Sequence, residues 1–427
     1  MKALYTVSIH LLVLAIRMAS LFNKKAKLAI RGRKNWKQQL TDALKDTHQP
    51  VIWFHISSLG EFEQARPLIV RIKTIYPQYK LFITFFSPSG YEARKNFEYA
   101  DGVFYLPYDT PQNAKAFLNI LRPRHIFFVK YEFWLNFLNE ITNRKQKEPL
   151  SCFLVSSIFR SHQPFFKWYG HLFRKALNSF DIIFVQDTLS IRLLKKIGLT
   201  QNICLSGDTR IDRVLEIAQN PIHFPEIESF CHQRKTIIAG STWPSDDIVL
   251  IPTLKKLKHQ HPHPLCFIIA PHQPDFKNVQ KLIHQLERHN LSHCKYSQLS
   301  HLPSEHLHTY DVLLIDTIGI LNKIYRYGFI AYIGGGFGNG IHSILEPAVY
   351  GLPVVFGPNY QKFYEATELI RTKGAFSIKN EFELYTLFNE WLCNPQRYQS
   401  STQAIKQFMD THKGAVDRTM NLLNQYL

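Results

Sequence analysis

Residues 330–358 read Ile-Ala-Tyr-Ile-Gly-Gly-Gly-Phe-Gly-Asn-Gly-Ile-His-Ser-Ile-Leu-Glu-Pro-Ala-Val-Tyr-Gly-Leu-Pro-Val-Val-Phe-Gly-Pro. An apolar strand, 330–333, runs into a loop with glycines at 334, 335, 336, 338 and 340, then a helix carrying Glu346. A second apolar strand follows at 353–356. Glycines allow sharp turns and close backbone approach, and a helix start offers unpaired N–H groups to an anion. The unit therefore reads either as a phosphate cradle in a parallel α/β sheet, with Gly335 and Gly336 as candidates, or as a structural turn. No Gly-Lys-Ser/Thr follows, and no three glycines fit Gly-x-Gly-x-x-Gly, so neither the P-loop nor the dinucleotide fingerprint applies.

The same alternation extends in both directions. Apolar runs at 51–56, 81–85, 102–106, 125–129, 152–155 and 182–185 are separated by helical patterns such as 65–75 and 189–197. A second series follows at 236–239, 266–270, 312–315, 329–333 and 354–356, with helical patterns at 246–257, 277–287, 318–327 and 343–350. Strands alternating with helices predict parallel sheets with right-handed crossovers. The 427 residues suit two domains of roughly 200 residues. The proline-containing stretch near 215–235 is the expected joint. The expected fold is two Rossmann-like domains facing a cleft: 31–215 and 216–427, preceded by an apolar helix and basic collar at 1–30.

The formal charge of +18 implies an anionic partner. The sequence lacks the aromatic–basic interleaving of a nucleic-acid platform, so nucleic acid is not expected. Six cysteines (152, 204, 231, 266, 294, 393) are scattered without a Cys-x-x-Cys pair, which fits reduced cytoplasmic thiols. Residues 3–22 are largely apolar but carry His10 and Arg17, and a collar of Lys24, Lys25, Lys27, Arg31, Arg33, Lys34 and Lys37 follows. Charge after the apolar run is the reverse of a secretory signal and places the bulk of the protein in the cytoplasm. A membrane-associated helix is expected, spanning or lying in the interface.

In open α/β sheets ligands lie beyond the carboxyl ends of the strands. Four such ends in the second half are Ala239-Gly240-Ser241-Thr242-Trp243, Ala270-Pro271-His272, Asp316-Thr317-Ile318-Gly319 and the glycine loop. Each has a plainer reading: Asp246 and Asp247 suit a first helical turn, and Glu346 suits a solvated helix. In the first half, strand 51–56 ends in Ser57-Ser58-Leu59-Gly60-Glu61. Ser58 and Glu61 have capping-box spacing, and Glu61 is also placed to take a proton from a hydroxyl. Glu132 belongs to a second charged cluster after the fourth strand.

Ser-Ser-Leu-Gly-Glu-Phe (57–62), Glu-Phe-Trp (132–134), Gly-Asp-Thr-Arg-Ile-Asp (207–212), Gly-Ser-Thr-Trp (240–243), Ala-Pro-His (270–272) and Ile-His-Ser-Ile-Leu-Glu-Pro-Ala (341–348) stand in the order found in the bacterial Kdo transferases, and the chain resembles that family. The resemblance implies the GT-B fold. It implies inverting transfer of 3-deoxy-D-manno-octulosonic acid (Kdo) from CMP-Kdo to a lipid A precursor (lipid IVA) at the cytoplasmic face of the inner membrane, an anionic membrane surface. It also implies Glu61 as general base, and a CMP site formed by Pro271, His272, Gly319, Ile320, Leu321, Ser343, Ile344, Leu345 and Glu346. Arg210 falls where the family has a basic residue between its domains. Familiar members carry arginine after Ala-Pro, where this chain has His272, and Gly-Glu where it has Gly319-Ile320. No Asp-x-Asp motif marks a strand end of the second half, so transfer without metal or other cofactor is expected. The competing readings are a GT-B enzyme using a UDP-sugar, of N-acetylglucosaminyltransferase or 2-epimerase type, and a non-catalytic basic protein that binds anionic lipid.

Overall fold

The computed structural model describes residues 2–427. The chain forms two compact units. One runs to Arg213 and takes up Lys413–Leu427 again, and the other is Val214–His412.

The first unit is built on seven parallel strands: β1 (Val51–Ile56), β2 (Lys80–Phe85), β3 (Gly102–Tyr105), β4 (Pro123–Val129), β5 (Ser151–Ser157), β6 (Ile182–Val185) and β7 (Ile203–Leu205), in the order β3-β2-β1-β4-β5-β6-β7. Val51 pairs with Lys80 on one side and Pro123 on the other, so β1 and β4 meet where the order reverses. Every residue of β1 is buried because helices cover both faces of the sheet, which is why its sequence is a continuous apolar run. Trp53, Phe117, Phe128 and Phe137 fill one face, and Phe54, Phe62 and Phe127 the other.

The second unit repeats the plan with β8 (Lys235–Thr242), β9 (Leu265–Pro271), β10 (His293–Lys295), β11 (Val312–Leu314), β12 (Ile330–Ile333), β13 (Val354–Phe356) and β14 (Ala375–Ser377). Their order is β10-β11-β9-β8-β12-β13-β14, all parallel. Here the order reverses between β8 and β12. The three-residue strands β7, β10 and β14, all at sheet edges, lie outside the expected runs because each is only partly buried, and β10 and β14 lack the continuous apolar run of the equally short β11 and β13. The helices expected at 318–327 and 343–350 shrink to Leu321–Ile324, with a 3-10 turn after it, and Leu345–Ala348.

The expected second domain, 216–427, ends earlier in the structure. Residues 413–427 return to the first unit, where Val416, Met420 and Leu423 are buried with Phe54, Ile69 and Ile72. Asp212 fixes the return by accepting the N–H groups of Gly414 at 2.6 Å and Val416 at 2.7 Å. The apolar spacing of the final helix identifies a buried face without saying which sheet buries it. Leu423 has no solvent exposure. Leu423→Ala is therefore expected to destabilise the first unit by about 3 kcal/mol, read as a lower urea midpoint.

Candidate active site

At the reversal point of the first sheet, β1 leads into the helix Leu59–Ile75 and β4 into Lys130, Tyr131 and Glu132. The capping box forms: Glu61 Oε2 accepts the Ser58 N–H at 3.0 Å and the Ser58 hydroxyl at 3.2 Å. A carboxylate at a helix start is ordinarily held ionised. Burial and the neighbouring Glu132 instead push Glu61 up to about 7, against the opposing effects of Lys130 and Ser58. The capping and acid–base readings of Glu61 are thus compatible, because one oxygen caps and the group still titrates near neutrality.

Glu132 is buried and held from behind. His55 Nδ1 lies 2.9 Å from Thr84 Oγ1, which accepts Trp53 Nε1–H at 2.8 Å. The Thr84 hydroxyl is then free to donate to Nδ1, which puts the imidazole proton on Nε2, 2.9 Å from Glu132 Oε2. Trp134 Nε1–H donates to the same oxygen at 2.6 Å. Trp134 Nε1 also lies 2.9 Å from His55 Nε2, but a protonated Nε2 cannot accept, so the carboxylate is the acceptor. His55, Thr84 and Trp53 look like core residues in the sequence. Only the sheet reveals them as a relay of hydrogen bonds onto Glu132.

Arg210 lies beyond β7 in the first unit and forks onto Asp208, with bonds from 2.6 to 3.2 Å. Burial works against ionisation of Asp208, but Arg210 and Lys130 hold its carboxyl below the usual range. Lys130 adopts left-handed backbone, φ 64°, at the end of β4. It bears electrostatically on both Glu61 and Asp208, and is a site residue that the sequence reading passed over.

In the second unit the loops after β8, β9 and β12 meet. Asp246 is buried at the start of the helix Pro244–Gln260 and accepts three hydrogen bonds: Tyr332 O–H at 2.8 Å, Gly335 N–H at 2.9 Å and Trp243 N–H at 2.8 Å. Burial raises its carboxyl in spite of these bonds. Gly334 allows the close approach of the two loops, since a Cβ there would lie 2.3 Å from the Ser241 carbonyl oxygen. Ser241 itself turns through φ 55°. Thr242 is buried, and its carbonyl accepts the His272 N–H at 2.9 Å. Trp243, His272 and His342 form a stack beside these loops. The loop after β11 also reaches this region, because Leu321 lies near Gly240.

The glycine loop has a structural role, seen in its own hydrogen bonds. Gly334 N–H goes to Gly240, Gly335 N–H to Asp246, Gly338 and Gly340 N–H to Gly335, and His342 N–H to Gly334. Gly336 is buried with its Cα backed against Gly357. The loop clamps β12 to the loop after β8, with the N–H groups of Gly334, Gly335, Gly338, Gly340 and His342 engaged within the protein. Ile344 and Leu345 have buried side chains, so any part they take in a ligand site falls to their backbone. Pro271, His272, Gly319, Ile320, Leu321, Ser343 and Glu346 retain partial or full exposure.

Two parallel-sheet units of this kind, each with its polar loops at the strand ends, are the GT-B architecture of glycosyltransferases. A solved UDP-GlcNAc 2-epimerase from Neisseria meningitidis bound to UDP-GlcNAc shares this fold, with a TM-score of 0.57, 15% identity, and coverage of 84% of this chain and 99% of that one. Residues 34–213 match the family model described as 3-deoxy-D-manno-octulosonic-acid transferase (kdotransferase). A 3-deoxy-D-manno-octulosonic acid transferase of Rickettsia felis is 27% identical over 384 residues, covering 88% of this chain and 78% of that protein. A bifunctional glycosyltransferase/methyltransferase of Fusobacterium nucleatum is 27% identical over 402 residues, 91% of this chain, and the chain spans 59% of that protein's length. Residues 34–213 match the Kdo transferase family model, and over most of its length the chain is similar to Kdo transferases.

Asp246→Ala orphans two buried backbone N–H groups and a tyrosine hydroxyl. It is expected to cost about 3 kcal/mol, whereas Tyr332→Phe costs about 1 kcal/mol. Urea unfolding followed by tryptophan fluorescence measures both.

Proposed function

We propose that this protein transfers Kdo from CMP-Kdo to the lipid A precursor lipid IVA, inverting the anomeric centre, with Glu61 as general base. The observation that carries this reading is the placement of Glu61: it stands at the switch point of the first sheet with its carboxyl pushed up to about 7. A base with that affinity accepts a hydroxyl proton and releases it again near neutral pH. The acceptor oxygen attacks the anomeric carbon as its proton passes to Glu61. The bond to the phosphate oxygen breaks, and its electron pair leaves with CMP. The donor is assigned to the strand ends of the second unit, through Pro271, His272, Gly319 to Leu321, Ser343 and Glu346, with Ser241 and Thr242 beside them. No metal ion is assigned to the reaction.

A lipid acceptor is supported by a cavity of about 360 Å³ in the first unit, lined by Tyr5, Ile9, Phe133, Trp134, Phe165 and Phe173 and reaching Glu132. Its wall includes the N-terminal helix Lys2–Ala19, which is long and apolar enough to cross a membrane. That helix is tied to the unit through Tyr5 O–H to Asp109 at 2.7 Å and Lys2 to Asn139 at 2.5 Å, and it buries Ile9. Leu4, Val7, Leu11, Leu14 and Met18 face outward, continued by Leu21 and Phe22. A spanning helix would have to withdraw Tyr5 and Lys2 from these partners. We therefore assign it to the plane of an anionic cytoplasmic leaflet, with the lysines at 24, 25 and 27 at the headgroups.

Glu61→Gln keeps a capping residue at this position yet cannot take a proton. Transfer from CMP-Kdo to lipid IVA is expected to fall about 10²–10⁴-fold with unchanged circular dichroism. Unchanged transfer sinks the assignment of the base. In the native enzyme the rate should fall tenfold per pH unit below about 7, as Glu61 becomes protonated. Glu132→Gln should move that limb down by about one unit by removing a like charge. UDP-GlcNAc in place of CMP-Kdo should give no product, and EDTA should leave the rate unchanged.

The helix assignment is checked in inverted membrane vesicles carrying the protein with a cleavable tag ahead of residue 2. Protease added outside, the cytoplasmic side, is expected to remove the tag. A protected tag would establish a span.

A further inference from the structure

Trp243, His272 and His342 come from three strand ends and form one unit of rings. Trp243 Nε1–H donates to His342 Nε2 at 3.1 Å, and the two rings are nearly coplanar, 10° apart with centroids at 6.4 Å. His272 lies flat across this pair, 4.7 Å from the Trp243 centroid and 4.2 Å from that of His342. The indole bond settles the tautomer of His342. Nε2 accepts, so the proton is on Nδ1 and the ring is neutral. Burial and the adjacent His272 push its pKa down to about 4. His272 is the exposed member, with a smaller downward shift caused by burial.

Two imidazolium rings at this separation would repel strongly, so the stack has room for one added proton. That proton belongs on His272. His342 would forfeit the indole bond by accepting it, while a charged His272 rests on the π-face of Trp243. The ionisable groups on the surrounding elements are otherwise engaged or stand elsewhere in the loops. Asp246 holds its three donors, Asp275 accepts Asn278 N–H, and Asp316 accepts Ser297 N–H and O–H. Glu346 bears on Tyr325. Asp247, pushed up to about 7 by burial and by Asp246, titrates in the same range and needs a control.

We infer that His272, the exposed ring of this stack, recognises the phosphodiester of the nucleotide-sugar donor by taking up one proton as the donor binds. This rests on the donor site assigned above. The phosphodiester anion favours the charged ring, and the neutral His342 offers its Nδ1–H beside it. Donor affinity is then tied to pH, strengthening as pH falls until His272 is already protonated in the free protein.

The test uses the full-length protein and cytidine 5′-methyl phosphodiester, whose single charge does not change between pH 5 and 8, with binding followed by calorimetry. Its affinity is expected to rise on the order of tenfold from pH 8 to pH 6. Cytidine binding should stay flat over the same range. His272→Arg should abolish the pH dependence while keeping binding, and Asp247→Asn should leave the dependence intact. Phosphodiester binding that is flat with pH in the native protein overturns the inference, as does a dependence that survives in His272→Arg. If uridine 5′-methyl phosphodiester binds in preference to the cytidine compound with the same pH dependence, the CMP assignment fails and the role of His272 stands. If neither compound binds, both fall together.

Discussion

A buried aspartate that accepts one tyrosine hydroxyl and two backbone N–H groups holds each unit's site loops together. In the first unit Asp109 takes Tyr5 O–H and the N–H groups of Asn136 and Phe137, at 2.7 to 3.1 Å, at the start of the helix Leu135–Lys145. In the second, Asp246 takes Tyr332 O–H and the N–H groups of Gly335 and Trp243. The reason is the same in both. A doubly wound sheet leaves its strand-end loops with backbone donors that no ladder satisfies, and burying them without partners would cost about 1–3 kcal/mol each. One carboxylate satisfies several and thereby locks the loops that carry the chemistry. In the first unit it also fixes the apolar N-terminal helix.

Against those fixed loops the two units tune charge in opposite ways. At the β1/β4 reversal, burial and Glu132 raise Glu61 toward neutrality, and the His55 and Trp134 donors hold Glu132 in place to do so. At the β8/β12 reversal, burial keeps the histidine stack neutral. A carboxylate with raised proton affinity suits accepting a proton from a hydroxyl. An uncharged imidazole suits a place where an anion will supply the charge that stabilises protonation.

Much of this was legible from the residues. The all-parallel plan followed from continuous apolar runs separated by helical periods, and those runs coincide with β1 to β6, β8, β9 and β11 to β13. Glu61 was legible because Ser58 and Glu61 share a first helical turn, and His272 because it follows a strand. The edge strands β7, β10 and β14 were not, since they are only partly buried, and β10 and β14 lack a continuous apolar run. The glycine loop stayed ambiguous in the sequence for a specific reason. Glycine marks close approach of backbone to something, and the sequence does not say whether that partner is a ligand or the neighbouring strand. The structure shows the loop after β8 as one such partner, with Asp246 on the Gly335 N–H.

The sequence by itself determined most of the elements, the two Rossmann-like units, the basic character and the residues at the strand ends, because these depend on local periodicity and on the fixed polarity of parallel strands. Only the tertiary structure decided which sheet the C-terminal helix completes, that His55, Thr84 and Trp53 stand behind Glu132, and that Trp243, His272 and His342 form one stack. Those juxtapositions join residues as much as 348 positions apart where Tyr76 donates to Asn424, and tens apart elsewhere. They are fixed by strand order and side-chain packing, neither of which leaves a local trace in the chain.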